Sequence, residues 1–295
     1  MSSKIKVVVV GNCQARPLAK LLESLNPRIT VTTTAIVHLL KNEQWDEYRQ
    51  AFEEADLIVS QLVFDTYPCE FVRTNYLKEC YGEKVVSIVN LYFTGYTPDW
   101  FYIRIPGKGT LRGPMGDYHN RTIMKSWREG VSVHVAASRL RDPEYNQRYL
   151  PEIQKSLDQL RQRESLIDIK VSDIVEGNYR KTRLFFTFNH PNMFLLREYA
   201  RRILQRAGID AKRRRFVLRD RELLGQFIPL VNPAVELPAG KYVRHKGLTA
   251  EIGPNKVVIN RNKKKYTSEQ MVKCFYSIYD ELSEDLGLRE FQVKG

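Results

Sequence analysis

Cysteine is scarce in this chain: four in 295 residues (Cys13, Cys69, Cys80 and Cys274), with no Cys-x-x-Cys pair. That excludes a disulfide framework and gives no thiolate zinc site. Long apolar runs are missing too. The longest purely aliphatic stretch, residues 7–10, is far short of the roughly 18 to 20 apolar residues that a membrane-crossing helix needs. Lys4 and Lys6 precede it as they would in a secretory leader, but Gly11 and Asn12 interrupt before the about 7 apolar residues of such a leader. The expectation is a cytoplasmic protein with no membrane span. Internal repeats and low-complexity tracts are absent, which sets aside solenoids and disordered arrays. Acidic charge is in the minority, 34 Asp and Glu against 47 Lys and Arg. The resulting net +13 favours anionic partners without saying which.

What is present is an alternation of strands and helices. Residues 5–10 form a β-branched run ended by Gly11, and Leu18, Leu21, Leu22 and Leu25 follow at helical spacing. Further strands are expected over 29–37, 57–63 and 84–92, with helices over 43–55 and 70–81 between them. This pattern predicts an α/β fold, a three-layer parallel sheet flanked by helices. Residues 95–116 are rich in Gly, Pro and aromatics (Tyr96, Trp100, Phe101, Tyr102) and read as a structured binding loop. Helices are expected over 120–129 and 143–164, an aromatic strand over 182–188, and a helix capped by Asn192. After Gly208 come a basic run, a hairpin over 249–259, and a last helix opened by a Thr267/Gln270 capping box. The expected division is an α/β catalytic domain over 1–210 and a C-terminal extension over 211–295 packed on it.

The first strand-to-helix turn carries the chemistry. Ligands of parallel α/β sheets bind beyond the carboxyl ends of the strands, where Gly11, Asn12, Cys13 and Gln14 fall. Pro17 is tolerated only in a first helical turn, so the helix begins close to Gln14 and Cys13 sits just before its amino end. Free amides and the helix dipole there are expected to lower the thiol pKa. The plainer reading makes Cys13 a small buried filler and Asn12 a turn former. Cys69, Cys80 and Cys274 lack such a setting and are assigned to structure. A thiol or acyl-transfer site needs a base, and His190 in Phe188-Asn189-His190-Pro191 follows a predicted strand. His119, after the Gly-rich loop, is a second candidate whose plainer role is an exposed helix cap. Ser60, Gln61 and Asn90 lie at strand ends, and Asn189 flanks the histidine; with Asn12 and Gln14 they are candidate oxyanion or substrate groups.

Val-Val-Gly-Asn-Cys-Gln at 9–14, Ser60-Gln61, Gly-Asp-Tyr-His-Asn at 116–120 and Phe-Asn-His-Pro at 188–191 together resemble the WcbI family of polysaccharide biosynthesis acetyltransferases, over residues 5–207. The resemblance implies an acetyl-CoA-dependent O-acetyltransferase acting on a capsular or other surface glycan precursor, with a fold related to the SGNH hydrolases. In that comparison Gly11-Asn12-Cys13 stands where those hydrolases carry Gly-Asp-Ser. Asn90 is similar to their oxyanion-hole asparagine and His190 to their terminal histidine. Thr187 replaces the aspartate usual three residues before that histidine, so a Cys-His pair is implied rather than a triad. Gly11, Arg16 and the run Arg213, Arg214, Arg215 are candidate contacts to the cofactor, the arginines to its phosphates. The partners are then CoA and a glycan acceptor, with no nucleic acid and no metal, and the sequence leaves the oligomeric state open. Two other classes stay in view: an SGNH-like acyl esterase using the same residues, and a non-enzymatic polyanion-binding protein.

Overall fold

Strand β1 (Ile5–Gly11) buries all four of its valines completely in the computed structural model, which describes residues 3–105, 107, 109–211, 222–237, 243–253 and 257–286. Helix α1 (Ala15–Leu25), β2 (Ile29–Ile36), α2 (Trp45–Glu53), β3 (Leu57–Gln61), α3 (Thr74–Tyr81) and β4 (Val85–Ile88) follow in alternation. The four strands form one parallel sheet in the order β2-β1-β3-β4. The chain runs outward from β1 to β2, then crosses back to place β3 on the other side of β1. Connections leaving in opposite directions open a crevice at the carboxyl ends of β1 and β3.

Helices flank the sheet because its faces are both apolar. Val8, Val10 and Ile58 join Phe52 of α2 and Leu77 of α3 in one buried cluster, where Trp45 packs on Phe52 and Phe71 at 6.0 and 5.4 Å between ring centroids. Helix α1 buries Leu18, Leu21 and Leu22 and packs on the helix Met193–Arg206. Each of these leucines contributes about 1.5–3 kcal/mol by leaving water. Pro17 stands in the first turn of α1, where its missing N–H costs no helical hydrogen bond.

The chain divides into two units: Met1–Tyr92, Leu157–Tyr179 and His190–Leu224 form the first, and Phe93–Ser156, Arg180–Asn189 and Gly225–Gly295 the second. This differs from the expected break at residue 210, because the stretch after β4 builds a core of its own instead of completing the sheet. In the second unit the strands Trp100–Tyr102 and Tyr118–Asn120 pair antiparallel, as do His245–Ile252 and Val257–Tyr266. The helices Arg121–Arg128, Val133–Arg141 and Ser268–Leu286 pack together. The end of the expected binding loop is tightly built, since a Cβ on Gly113 would meet Phe275 at 2.9 Å and Gly116 adopts φ +65°.

Two local expectations are corrected. No strand forms over 182–188: the Arg183 guanidinium takes the carbonyls of Phe185, Phe186 and Pro229, at 2.9, 2.6 and 2.8 Å, which a ladder would otherwise use. The expected helix over 143–164 is broken, because Pro151 starts a new helix, Pro151–Glu164. Two short polar helices, Val133–Arg141 and Ser172–Asn178, have too weak an apolar period to be read in advance. The capping box forms, with Gln270 N–H donating to Thr267 Oγ1 at 3.2 Å and Thr267 N–H to Gln270 Oε1 at 3.0 Å. Among the described residues no helix is long and apolar enough to cross a membrane, and no group of three His, Cys, Asp or Glu side chains could hold a metal ion.

Candidate active site at the carboxyl edge of the sheet

The turn after β1 is held by glutamine side chains. A Cβ on Gly11 would lie 2.6 Å from Gln61 Oε1 and 2.7 Å from its Cδ, so only glycine lets Gln61 cross at this point. The Asn12 N–H donates to Gln61 Oε1 at 2.8 Å, and the Gln14 N–H donates to Asn12 Oδ1 at 3.0 Å. Gln14 then clamps Leu91: its Nε2 donates to the Leu91 carbonyl at 2.7 Å and its Oε1 accepts from the Leu91 N–H at 2.9 Å. Gln61 Nε2 donates to Gln14 Oε1 at 3.3 Å. Gln14 and Gln61, expected as substrate groups, are therefore buried braces that tie the turn to β3 and to the chain beyond β4. Ser60 is buried completely, its hydroxyl bonded to the Gln61 carbonyl at 3.2 Å. It supports the turn from beneath. Gly11→Ala should cost about 1–3 kcal/mol by forcing Gln61 aside. Urea unfolding checks this, and an alanine variant as stable as the parent would show that Gln61 is not pinned.

Cys13 is exposed at the tip of this turn. The protein around its sulfur removes enough water to push the thiol pKa up, while its own backbone amide pulls it down. The expected lowering by the helix terminus is overturned: desolvation wins, and the resting thiol keeps its proton. Cys69 and Cys274 are buried as expected, whereas Cys80 is exposed.

A recess of about 420 Å³ opens beside the turn. Each strand contributes the residue or residues that follow it: Asn12 after β1, Val37 after β2, Leu62 and Phe64 after β3, Asn90 after β4, with Gln61 at the floor and Tyr67 on the wall. Arg163 orients Asn90 by donating from Nη1 to its carbonyl at 3.1 Å and to its Oδ1 at 2.9 Å. That leaves the amide nitrogen of Asn90 as its donor end. The apolar wall of Val37, Phe64 and Tyr67 escaped the sequence reading, although the rule that ligands meet strand ends pointed to these loops. Arg163 had no local signal, since it lies 73 positions from Asn90.

The other expected residues are distributed as follows. His190 belongs to the first unit and is half-buried; it is not among the residues lining the recess. Burial pushes its imidazole down to about 4, so the ring is neutral at pH 7. Asn192 caps the following helix by accepting from the Leu195 N–H at 2.9 Å. Asn189 lies in the second unit. There its Oδ1 accepts from the Tyr118 and Thr187 hydroxyls at 2.6 and 3.1 Å, and its Nδ2 donates to the Tyr102 hydroxyl at 3.0 Å. This ring of hydroxyls makes it a structural brace rather than a substrate group. Arg16 is exposed on the first turn of α1, and Arg213, Arg214 and Arg215 lie outside the described residues.

His119 is a core residue of the second unit, not an exposed cap. Its Nε2–H donates to the Leu111 carbonyl at 3.1 Å, so Nδ1 accepts from the Tyr279 hydroxyl at 3.0 Å. Burial pushes its pKa from 6.5 down to about 4. Between those values the unfolded chain binds a proton that the native state does not, so stability is complete above about pH 6.5 and is lost as pH falls toward 4. The loss is about 3 kcal/mol at about 1.4 kcal/mol per pH unit. His119→Gln should flatten the slope of unfolding free energy against pH across this window by about one proton, and an unchanged slope would contradict the assignment.

The family model described as polysaccharide biosynthesis enzyme WcbI matches residues 6–212, more than half of the chain. The chain belongs to the WcbI family. A solved structure, described as WcbI, a novel polysaccharide biosynthesis enzyme, in its native form without a disulfide bond between CoA and a cysteine, is similar at a TM-score of 0.75 and 21% identity. The likeness covers 98% of this chain and 97% of that one, and at this identity it is a likeness of fold. No curated protein matches. The turn of Cys13 and the segment of His190 both fall inside the WcbI family match, while the hairpin and last helix lie beyond it yet within the span of the structural likeness.

Proposed function

We propose that this WcbI-family chain is an acetyl-CoA-dependent O-acetyltransferase of a capsular or cell-surface saccharide precursor, working from the cytoplasm. The observation that carries the reading is the exposed Cys13 on a braced turn beside a recess built by the carboxyl ends of all four strands. The description of the solved relative pairs CoA with a cysteine. Of the two exposed cysteines here, only Cys13 lies at that edge. The lining fits the thiol end of CoA: Asn12 and Asn90 match amide groups, and Val37, Phe64 and Tyr67 match the methylenes between them. Among the described residues no basic side chain lines the recess, so the phosphates would lie outside it, with Arg16 on the first turn of α1 as a partner. A kinship with SGNH hydrolases belongs to the same reading.

When bound, acetyl-CoA supplies the thioester whose acetyl group passes to a sugar hydroxyl. The chain's part is proton transfer and charge stabilisation. His190, neutral at pH 7, takes the hydroxyl proton as the oxygen attacks, and returns it to the departing sulfur. The Asn90 amide, oriented by Arg163, and the Asn12 side chain donate to the oxygen that gains charge. A Cys13 thiol that keeps its proton serves as a further donor in direct transfer. As a nucleophile it would first have to give that proton to a base.

Release of free thiol from acetyl-CoA in the presence of saccharide acceptors tests the proposal, with calorimetry for CoA. Cys13→Ala should reduce transfer sharply, while absence of CoA binding would overturn the reading. Hydrolysis of nitrophenyl acetate without CoA, abolished by the same substitution, would favour an esterase instead.

A further inference from the structure

Among the described residues of the second unit four buried side-chain atoms have no hydrogen-bond partner, and two of them, Asp99 Oδ1 and His245 Nε2, belong to residues that line one cavity. Asp99 is 4% exposed; its Oδ2 accepts from Asn120 Nδ2 at 2.5 Å and the Asn232 side chain lies close enough to act on the carboxylate, while Oδ1 has no partner in hydrogen-bond geometry among the described residues. His245 is buried to the same degree. Its Nδ1 accepts from the Leu230 N–H at 3.0 Å, which assigns the ring proton to Nε2, and Nε2 has no acceptor. A buried donor or acceptor left unmet costs about 1–3 kcal/mol. Two of them at one cavity mark a place where something else completes the bonding.

The cavity holds about 150 Å³, room for several waters or for one sugar ring. Trp100 forms an apolar wall, and Ser268 and Arg141 add polar groups. Charge narrows the class of ligand. A cation would meet Arg141 in the lining, with Arg121 and Arg183 close enough to act on Asp99 and His245. An anion would face the Asp99 carboxyl. A hydroxyl both donates and accepts, so adjacent hydroxyls satisfy both vacant atoms without adding charge.

We infer that this cavity binds an uncharged polyhydroxylated molecule the size of one sugar ring, one hydroxyl donating to Asp99 Oδ1 and another accepting from His245 Nε2–H, with the carbon face of the ring against Trp100. The inference stands on the second unit alone and does not depend on acetyl transfer at the recess of the first.

Saturation-transfer NMR on the full chain with the methyl α-pyranosides of glucose, galactose and mannose tests it. At least one should receive saturation. Asp99→Asn keeps the bond to Asn120 through its amide oxygen but turns a donor into the cavity, and should weaken binding about tenfold or more. Leu140→Phe, which adds volume at the cavity wall, should abolish the signal with circular dichroism unchanged. It decides alone if Asp99→Asn does not fold. No transfer from any of the three sugars, or transfer unaffected by a folded variant, would overturn the inference and leave a cavity filled with water.

Discussion

His190→Gln should lower kcat for acetyl transfer by about 10²- to 10⁴-fold, the usual contribution of a positioned general base, with little change in KM for acetyl-CoA. The substitution keeps polarity and size but removes the group that takes the hydroxyl proton. The pH dependence gives a second readout. Burial holds the imidazole near 4, so the ring is already neutral at pH 6, where an ordinary histidine is mostly protonated. The activity of folded protein should therefore stay level from neutral pH downward and fall only as pH approaches 4, with circular dichroism confirming the fold at each point. A rate that halves near pH 6.5, or a variant retaining full kcat, would remove His190 from the chemistry.

Gln14→Leu should destabilise the protein by about 2–6 kcal/mol, a large share of the about 5–15 kcal/mol that holds a typical domain together. Leucine fills the same space but leaves the Leu91 N–H and carbonyl without the partners they have at 2.9 and 2.7 Å. It also removes the acceptor of Gln61 Nε2. Each buried group left unmet costs about 1–3 kcal/mol. Gln14→Glu, which keeps the acceptor and loses the donor, should fall between. Urea unfolding measures both. A leucine variant within about 0.5 kcal/mol of the parent would mean that the brace is not what holds the turn.

The parallel sheet was legible because its signals are local. The valines of β1, the leucines of α1 and the capping box at Thr267 each lie within one element, and each forms as expected. The turn was legible for the same reason: Gly11, Cys13 and Pro17 sit within seven positions, and their order dictates a strand end, an exposed tip and a helix start. What could not be read was long-range. Gln14 and Gln61 look like substrate groups until Leu91 is brought beside them. His119 looks like a surface cap until Tyr279, 160 positions away, closes over it. Residues 182–188 have the composition of a strand, but Arg183 folds back on their carbonyls. The Cys13 pKa was misjudged because the helix terminus is visible in sequence and the desolvation around it is not.

The central claim, that the thiol end of CoA meets Cys13 at the carboxyl edge of the sheet, is tested most directly by incubating the protein with CoA disulfide and mapping the adduct by peptide mass spectrometry. The Cys13 sulfur attacks one sulfur of the reagent, a mixed disulfide forms, and one CoA thiolate departs. The adduct should form on Cys13 in preference to Cys80, which is exposed too, disappear in Cys13→Ser, and form faster as pH rises through the elevated thiol pKa. An adduct on Cys80 alone, or none on Cys13 at any pH at which the protein is folded, would contradict the account.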